Sequence, residues 1–304
     1  MSQRKNARQL NGILLLDKPL EISSNGILQR VRWLFNAAKA GHTGALDPLA
    51  SGLLPVCFGE ATKFSQFLLD TDKTYQVEAT LGIRTDTSDA AGEVISEKPV
   101  HCTEETLREA MESFRGAQLQ IPTMFSALKY QGQPLYKYAR QGIDVPREAR
   151  PITIFRFDLL EYTGNKARFV VHCSKGTYIR TLIDDLGEKL GCGAHVSALH
   201  RVQVGPFEAK QMVTVAEIEQ LAEQQDLAQL DALLLPVDAG LVTVPALTLD
   251  ELQLQKLIHG QPAATDLPDH AVIKLYRPDG QFTGIGTISQ GTLISRRLMN
   301  TGSL

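Results

Sequence analysis

One carboxylate is set apart by the residues around it. Asp47 lies in the stretch Gly41-His-Thr-Gly-Ala-Leu-Asp-Pro-Leu-Ala-Ser-Gly52, which is largely apolar and contains three glycines. Glycine permits unusual φ angles and close backbone approach, and Pro48 fixes φ and donates no hydrogen bond. A carboxylate restrained in this way can serve as a nucleophile or a general base. Asp before Pro is also a good helix start, and the stretch alone favours Asp47 as an N-cap.

Hydrophobic patterns predict the elements that would hold such a site. Residues 74–81 alternate between apolar and polar side chains and predict a half-buried strand, and residues 166–173 predict a second strand. Apolar residues at helical spacing then predict a helix at 179–190. Tyr178 and Arg180 therefore sit where a strand ends and a helix begins.

The length and composition favour two globular domains. The chain has 304 residues, of which 43% are hydrophobic, enough to bury a substantial core. Proline and glycine residues interrupt the pattern near residue 240, and short strands are predicted at 271–276, 281–288 and 293–299. We therefore expect one domain at 1–240 and a small β-barrel domain at 245–304.

Neither a membrane segment nor a metal site is expected. The apolar run at 13–16 is far too short for a signal peptide or a span, which predicts a cytoplasmic protein without a membrane partner. Four cysteines form no C-x-x-C pair and should be reduced thiols. A zinc site from His172, Cys173, Cys192 and His195 is disfavoured, because neighbouring residues of a strand point to opposite faces.

Basic residues are concentrated in two stretches, although the net charge is -3. Residues 1–40 hold seven basic and two acidic side chains, and residues 129–156 hold six basic and two acidic ones. The second stretch includes Lys129 and Arg140 and three tyrosines, a combination that can neutralise phosphates and stack on bases. A solvated protein surface is the alternative interpretation.

Six short segments form the most specific pattern in the chain. In order, they are Leu16-Asp-Lys-Pro19, the stretch from Gly41 to Gly52, Asp72-Lys-Thr-Tyr75, Arg84-Thr-Asp-Thr-Ser-Asp89, Ser174-Lys-Gly-Thr-Tyr-Ile-Arg180 and Ala198-Leu-His-Arg201. This set resembles the bacterial tRNA pseudouridine-55 synthases of the TruB type. The similarity extends over nearly the whole chain.

The resemblance implies a fold and an activity. The fold would be α+β, with a central mixed, mostly antiparallel sheet, flanking helices, a thumb-like RNA-binding insertion at 118–151 and a PUA-like C-terminal domain. The activity would be isomerisation of uridine 55 in the T loop of tRNA. The family implies a monomer that needs no cofactor and no obligate protein partner.

The resemblance also assigns roles to residues around the carboxylate. Asp47 would be the catalytic aspartate, Arg180 its ion-pair partner and Tyr75 the residue stacked on the target uracil. Tyr178 and Leu199 would complete the pocket wall.

Four further residues would bind substrate. His42 would help to hold the opened T loop, Lys18 would lie near the site, and Lys129 and Arg140 would belong to the thumb. The family usually has a glycine where this chain has Glu21. Because glycine is used where φ is positive, the backbone beside Lys18 is the place where this chain departs from the pattern.

Uridine isomerisation suits these residues. The glycosidic bond breaks, the uracil turns and C5 bonds to the sugar without net oxidation or reduction, and the chain has no nucleotide-binding glycine loop. Asp47 could attack the sugar or act as a base, and both roles stay open. Burial would raise the pKa of Asp47, and a nearby Arg180 would oppose that shift. The alternative is that Arg180 pairs with Asp184 on the helix surface. Tyr75 could stack on a flipped base or be only a core residue.

Two other function classes stay open. A pure RNA-binding protein could use Gly41-His-Thr-Gly44, which resembles the G-x-x-G loop of KH modules. A glycosidase would need a second acid, for which Asp89 is the candidate.

Overall fold

Strands of alternating polarity assemble a large sheet in the N-terminal part. The computed structural model describes residues 7–300, and within them ten strands pair into one sheet. The strands up to residue 214 are β1 Gly12–Lys18, β2 Ala40–His42, β3 Ala50–Phe58, β4 Lys73–Leu81, β5 Ile83–Thr85, β6 Val94–Glu97, β7 Gly116–Gln120, β8 Lys129–Tyr130, β9 Gln133–Pro134, β10 Arg150–Thr163, β11 Lys166–Cys173, β12 Ala194–Val204, β13 Phe207–Glu208 and β14 Val213–Thr214.

The helices are short and amphipathic. They are α1 Ser24–Leu34, α2 Ser65–Leu69, α3 Glu104–Glu112, α4 Leu135–Ala139, α5 Ile179–Lys189, α6 Val215–Glu223, α7 Leu227–Ala232 and α8 Glu251–Ile258, with 3₁₀ segments at Gly59–Phe64 and Ala209–Gln211. The helix predicted at 179–190 is confirmed as α5. Of the helices between residues 7 and 300, none is long and apolar enough to cross a membrane.

The large sheet is mixed and mostly antiparallel, as predicted. Its order is β14-β1-β3-β12-β4-β11-β10-β7, with β2 also on β3 and β13 on β12. Within the described chain, β12 runs parallel to β3 and β1 parallel to β14, and the other neighbours in this sheet are antiparallel. The strands predicted at 74–81 and 166–173 are confirmed as β4 and β11.

The central pairing brings distant motifs together. Because β12 lies between β3 and β4, Arg201 has Gly52 as its partner on one side and Tyr75 on the other. Gly52 has a φ of +98°, and a Cβ at this position would lie 2.4 Å from the carbonyl oxygen of Arg201. Glycine is therefore required where β3 approaches β12.

Helices pack on this sheet through two apolar clusters. Leu107 of α3 and Leu186 of α5 join the inward side chains of β4 and β11, and Tyr75 belongs to the same cluster. Ile27 of α1 and Ile218 of α6 pack against β1 and β3. The first cluster fixes the start of α5 against the middle of the sheet, where the six sequence segments converge.

A separate five-stranded sheet forms the C-terminal part. Its strands are β15 Ala246–Thr248, β16 Ala263–Ala264, β17 His270–Tyr276, β18 Phe282–Ser289 and β19 Thr292–Leu298, in the order β15-β17-β18-β19-β16. The strands predicted at 271–276, 281–288 and 293–299 are confirmed as β17, β18 and β19, and β17 and β18 pair as an antiparallel hairpin. This sheet and α8 share a hydrophobic core of their own, which includes Leu254, Leu257, Ile273 and Leu293. This core supports our proposal that 1–240 and 245–304 are distinct domains.

An excursion leaves the large sheet between β7 and β10. It carries the hairpin of β8 and β9 and the short helix α4. We keep 118–151 as the proposed extent of the thumb, which includes the last residues of β7 and the first of β10.

Candidate active site

Asp47 lies in a turn that leads into β3. The N–H of Ala50 donates to the carbonyl of Asp47 at 3.0 Å, and Ala50 is the β3 partner of Leu199 in β12. The helix start favoured by the stretch alone is therefore wrong, because pairing with β12 draws the chain into a strand. A second contact fixes the turn, since the N–H of Glu21 donates to the carbonyl of Pro48 at 2.8 Å.

Arg180 forms the predicted ion pair with Asp47. Its Nε lies 3.0 Å from Oδ2 of Asp47, and its side chain is 7% exposed. Nη1 donates to the carbonyl of Thr87 at 3.2 Å and Nη2 to the carbonyl of Phe125 at 2.7 Å. Backbone carbonyls therefore hold the guanidinium in one orientation while Nε faces the carboxylate.

The alternative partner on the helix surface is engaged elsewhere. Arg84 Nε lies 2.8 Å from Oδ1 of Asp184 and Arg84 Nη2 lies 3.1 Å from Oδ2. This two-point pair takes both carboxylate oxygens of Asp184, so the pair of Arg180 with Asp184 is wrong.

A second carboxylate braces Arg180 from its far side. Oδ2 of Asp89 lies 3.5 Å from Nη1 of Arg180, and Asp89 is only 5% exposed. Oδ1 of Asp89 accepts hydrogen bonds from the hydroxyl of Thr87 at 2.7 Å and from the N–H of Ala91 at 3.0 Å. These contacts make Asp89 a support for the guanidinium and not a free acid.

The ion pair opens into a cavity of about 410 Å³. Asp47, Tyr75, Tyr178, Arg180 and Leu199 all line it, so the structure brings together the residues predicted to form the pocket. Within the described chain this lining includes Asp47 but not Asp89, so it lacks the acid and base pair that a glycosidase needs. Tyr75 packs in the core and also faces the cavity, so its two predicted roles are compatible.

Lys18 and His42 lie behind the turn that carries Asp47 and not in the cavity lining. Lys18 is fully buried, and its Nζ donates to the carbonyls of Pro19 and Ala50, each at 2.7 Å. His42 ends β2, and its Nδ1 is buried without a hydrogen-bond partner. Burial, with a smaller contribution from Arg201, lowers the pKa of His42 and favours the neutral imidazole.

Lys129 and Arg140 lie on the exposed face of the excursion. Lys129 is in β8, and Arg140 follows α4 with its guanidinium carbon 5.4 Å from the ring centre of Tyr136. Neither side chain lines the cavity. Their role in holding RNA stays a prediction.

Three buried cations, Lys18, Lys73 and Arg201, lie around the turn that carries Asp47. Between residues 7 and 300 no carboxylate forms an ion pair with any of them, and backbone carbonyls bind each one. Arg201 donates from Nε to Leu53 at 2.7 Å and from Nη2 to Gly44 at 3.1 Å, and Lys73 donates to Leu69 at 2.8 Å. Burial lowers the pKa of Lys18 and of Lys73 to about 8, and repulsion from Arg201 adds to both shifts. The floor of the site therefore carries positive charge at neutral pH.

The pKa of Asp47 is the balance of opposing influences. Burial within the site raises it above the ordinary aspartate value, while Arg180 and Lys18 lower it and Asp89 raises it further. The predicted effect of Arg180 is therefore in the right direction, but burial outweighs it. The side chain remains 43% exposed, which leaves its carboxylate open to the cavity.

Arg201 is the site residue that sequence reasoning missed. Its segment was part of the family pattern, but the side chain had no assigned role. It is 1% exposed, stands opposite Tyr75 in the strand register, and lines the cavity. Burial raises the pKa of Tyr75 and Arg201 opposes that shift. The available signal was the spacing of Arg201 two residues after Leu199, because residues two apart in a strand point to the same face of the sheet.

The candidate metal ligands and the cysteines can be placed in the structure. Across residues 7–300 no group of three or more His, Cys, Asp and Glu side chains is placed to hold a metal ion. The four cysteines are free, and burial raises the pKa of Cys57 and Cys173 to about 12, which keeps these thiols protonated.

The RNA-binding alternative based on Gly41-His-Thr-Gly44 is not favoured by the local structure. Thr43 is fully buried, and its N–H donates to the carbonyl of Pro55 at 3.0 Å. A loop anchored in this way is not free to clamp a nucleic-acid backbone as the KH loop does.

Known proteins match this chain along its length. Residues 32–179 match the N-terminal domain of the TruB family pseudouridylate synthases, residues 180–242 match the tRNA pseudouridylate synthase B C-terminal domain, and residues 245–299 match the C-terminal region of pseudouridine synthase II TruB. A tRNA pseudouridine synthase B of Psychromonas ingrahamii is 52% identical, covering 99% of this chain and 100% of the relative. The protein of that name from Stutzerimonas stutzeri is 53% identical with the same coverage.

Solved structures agree on the fold. A chain in the crystal structure of a Cbf5-Nop10-Gar1 complex superposes with a TM-score of 0.73 at 22% identity, covering 97% of this chain and 92% of its own length. A chain in the structure of an H/ACA RNP bound to a substrate RNA gives a TM-score of 0.72 at 21% identity, covering 98% and 93%. The predicted α+β fold with a PUA-like C-terminal domain is confirmed. The matched family domains and the 52–53% identity to the curated relatives establish that the chain belongs to the TruB family of pseudouridylate synthases.

Proposed function

We propose that this protein converts uridine 55 in the T loop of tRNA to pseudouridine, with Asp47 as the catalytic carboxylate. The observation that carries the proposal is the 3.0 Å pair between Asp47 and Arg180 at the wall of a cavity that also presents Tyr75. The curated relatives at 52–53% identity are named tRNA pseudouridine synthase B, which supports tRNA as the substrate.

The target uridine must leave its stack before the enzyme can act on it. Flipping a base out costs a few kcal/mol, which new contacts in a pocket offset. The ring of Tyr75 supplies a stacking surface, and Leu199 and Tyr178 close the cavity around it. The mostly apolar wall excludes water from the bond that breaks.

The reaction conserves all atoms of the nucleoside. The glycosidic electrons leave with N1 of uracil, the base turns, and C5 forms the new bond to C1′. C5 then loses its proton and N1 gains one. Asp47 acts at the sugar, either as the nucleophile at C1′ or as a base, and it must be ionised for both roles. Arg180 and Lys18 favour that ionised state against the effect of burial.

The thumb and the C-terminal domain would hold the rest of the tRNA. Lys129 and Arg140 offer positive charge on the exposed side of the thumb, and phosphate contacts of this kind position RNA without reading its sequence. We propose a cytoplasmic monomer that acts without a protein partner. Light scattering at micromolar concentration tests the monomer, and a dimer mass would overturn it.

The position of modification gives the direct test of the substrate. We expect an unmodified tRNA transcript incubated with the protein to gain one pseudouridine, at position 55. The matched control is the same transcript with cytidine at 55, which should gain none. Modification at another uridine would overturn the choice of position, and no pseudouridine in either RNA would overturn the proposed activity.

A further inference from the structure

Gln120 makes an unusual contact with the start of α5. This residue ends β7 where the thumb begins, and it is 6% exposed. Its Oε1 accepts a hydrogen bond from the N–H of Tyr178 at 2.8 Å, and its Nε2 donates to the carbonyl of Tyr178 at 3.1 Å. One planar amide therefore binds both the N–H and the carbonyl of a single residue that lines the cavity, and the same carbonyl accepts the first hydrogen bond of α5, from the N–H of Leu182 at 3.0 Å.

This contact holds the residue at the N-cap position of α5. Tyr178 occupies the N-cap position of α5 without a side-chain cap of its own. The first N–H groups of a helix have no partner inside the helix, so outside groups must fix the first turn. Arg180 lies in that first turn, two residues after the clamped peptide groups. A shift of Tyr178 would therefore move the guanidinium relative to Asp47.

The same chain segment holds the guanidinium directly. Five residues after Gln120, the carbonyl of Phe125 accepts the hydrogen bond from Nη2 of Arg180 at 2.7 Å. The segment continues along the thumb towards α4, where the N–H of Tyr136 donates to the carbonyl of Ser126 at 3.0 Å. Residues 120–126, near the start of the thumb, therefore contact both the backbone of Tyr178 and the guanidinium of Arg180.

We propose that Gln120 is a positioning residue for the reaction, setting Arg180 against Asp47 from the base of the thumb. The inference rests on the proposed function and adds a residue to it. Gln120 does not line the cavity, so it acts through Tyr178 and Arg180 and not by touching the substrate. Its removal should therefore lower the rate of the chemical step while leaving the affinity for tRNA unchanged.

Two substitutions and a matched control test this role. Gln120→Ala removes both hydrogen bonds, whereas Gln120→Glu keeps the size and one acceptor but sets a carboxylate against the carbonyl of Tyr178. The control is Gln229→Ala on α7, outside the thumb and the cavity lining, because the Gln229 amide donates to the carboxylate of Asp226 at 2.8 Å and not to α5. Single-turnover rates with saturating unmodified tRNA report the chemical step, and filter binding reports affinity.

We expect both Gln120 variants to lose about tenfold to a hundredfold in rate, as small misplacements of reacting groups do, while their tRNA affinity and the rate of Gln229→Ala stay near those of the parent. A pH series adds a readout that a structural role would not move. Protonation gives the carboxyl of Gln120→Glu a donor for Tyr178, so its rate relative to the parent should rise as the pH falls.

Three outcomes would overturn the inference. They are parental rates in both Gln120 variants, equal losses of rate and affinity, and a Gln120→Glu rate whose ratio to the parent is independent of pH. Should Gln120→Ala fail to fold, the isosteric Gln120→Glu decides by the same criteria. A parent that forms no pseudouridine would overturn the proposed function as well, so the two failures are distinguishable.

Discussion

Arg180→Lys is the substitution that most sharply tests how the site is held. Three nitrogens of Arg180 face different groups: Nε lies 3.0 Å from Asp47, Nη1 lies 3.2 Å from the Thr87 carbonyl, and Nη2 lies 2.7 Å from the Phe125 carbonyl. A lysine has one compact ammonium and cannot reproduce this planar arrangement. If the ammonium contacts Asp47, the carbonyls of Thr87 and Phe125 both lose their hydrogen bonds to residue 180.

The size of the effect follows from those lost contacts. A buried polar group left without a partner costs about 1–3 kcal/mol, so two carbonyls lower the free energy of unfolding by about 2–6 kcal/mol. For turnover, we expect Asp47 to lose its fixed orientation, and a loss of about 2.7 kcal/mol in transition-state stabilisation corresponds to about a hundredfold lower rate. The affinity for tRNA should change little, because the residues that we propose to contact RNA, Lys129 and Arg140, lie on the thumb and not beside Arg180.

The assay combines single-turnover pseudouridine formation, filter binding of tRNA and urea unfolding. The matched control is Arg84→Lys, since Arg84 makes its two-point pair with Asp184 outside the cavity lining. The control should keep the parental rate. If Arg180→Lys also turned over at the parental rate, Arg180 would not be the residue that orients Asp47, and the proposed site would need a different cation.

Three further predictions concern the surroundings of the site. Glu21 has a φ of +65°, a conformation that costs an L-residue about 1–2 kcal/mol, whereas glycine adopts it freely but loses about 0.5–1 kcal/mol of chain entropy on folding. Glu21→Gly should therefore raise the free energy of unfolding by about 0.5–1 kcal/mol. A lower melting temperature for this variant would refute the strain at Glu21. The unfolded chain keeps a proton on Lys18 up to about pH 10.5, whereas the folded chain keeps it only up to about pH 8. The free energy of unfolding of the parent, relative to that of Lys18→Met, should therefore rise by about 3 kcal/mol between pH 8 and pH 10.5. A difference in urea unfolding that stays constant over this pH range would contradict the lowered pKa. The logarithm of the tRNA affinity should fall linearly with the logarithm of the salt concentration, and Arg140→Ala should reduce that slope by about 1, whereas an unchanged slope would place the phosphate contacts elsewhere.

Local patterns were enough to predict much of the scaffold. The alternation at 74–81 and the apolar period at 179–190 are local features, and both became the expected elements, β4 and α5. The meeting of Asp47 and Arg180 was predictable only from the family resemblance. Without that resemblance, the sequence around each residue does not indicate that the two side chains, 133 positions apart in the chain, lie 3.0 Å from each other in the fold.

The features that sequence reasoning missed depend on long-range pairing. The turn at Asp47 looked like a helix start because the competing partner of Ala50 is Leu199, far along the chain in β12. Asp184 looked available to Arg180 because its partner, Arg84, lies 100 residues away. Gln120 is an ordinary polar residue by type, and only the fold shows that its amide meets the backbone of Tyr178.

The central claim is that Asp47 carries out the isomerisation, and one comparison tests it most directly. Parent and Asp47→Asn are incubated with the same unmodified tRNA, pseudouridine is mapped at position 55, and tRNA binding and a thermal melt check that the variant is folded. We predict that the parent forms pseudouridine and that Asp47→Asn binds the tRNA but forms none. Pseudouridine formation by Asp47→Asn at the parental rate would contradict the account.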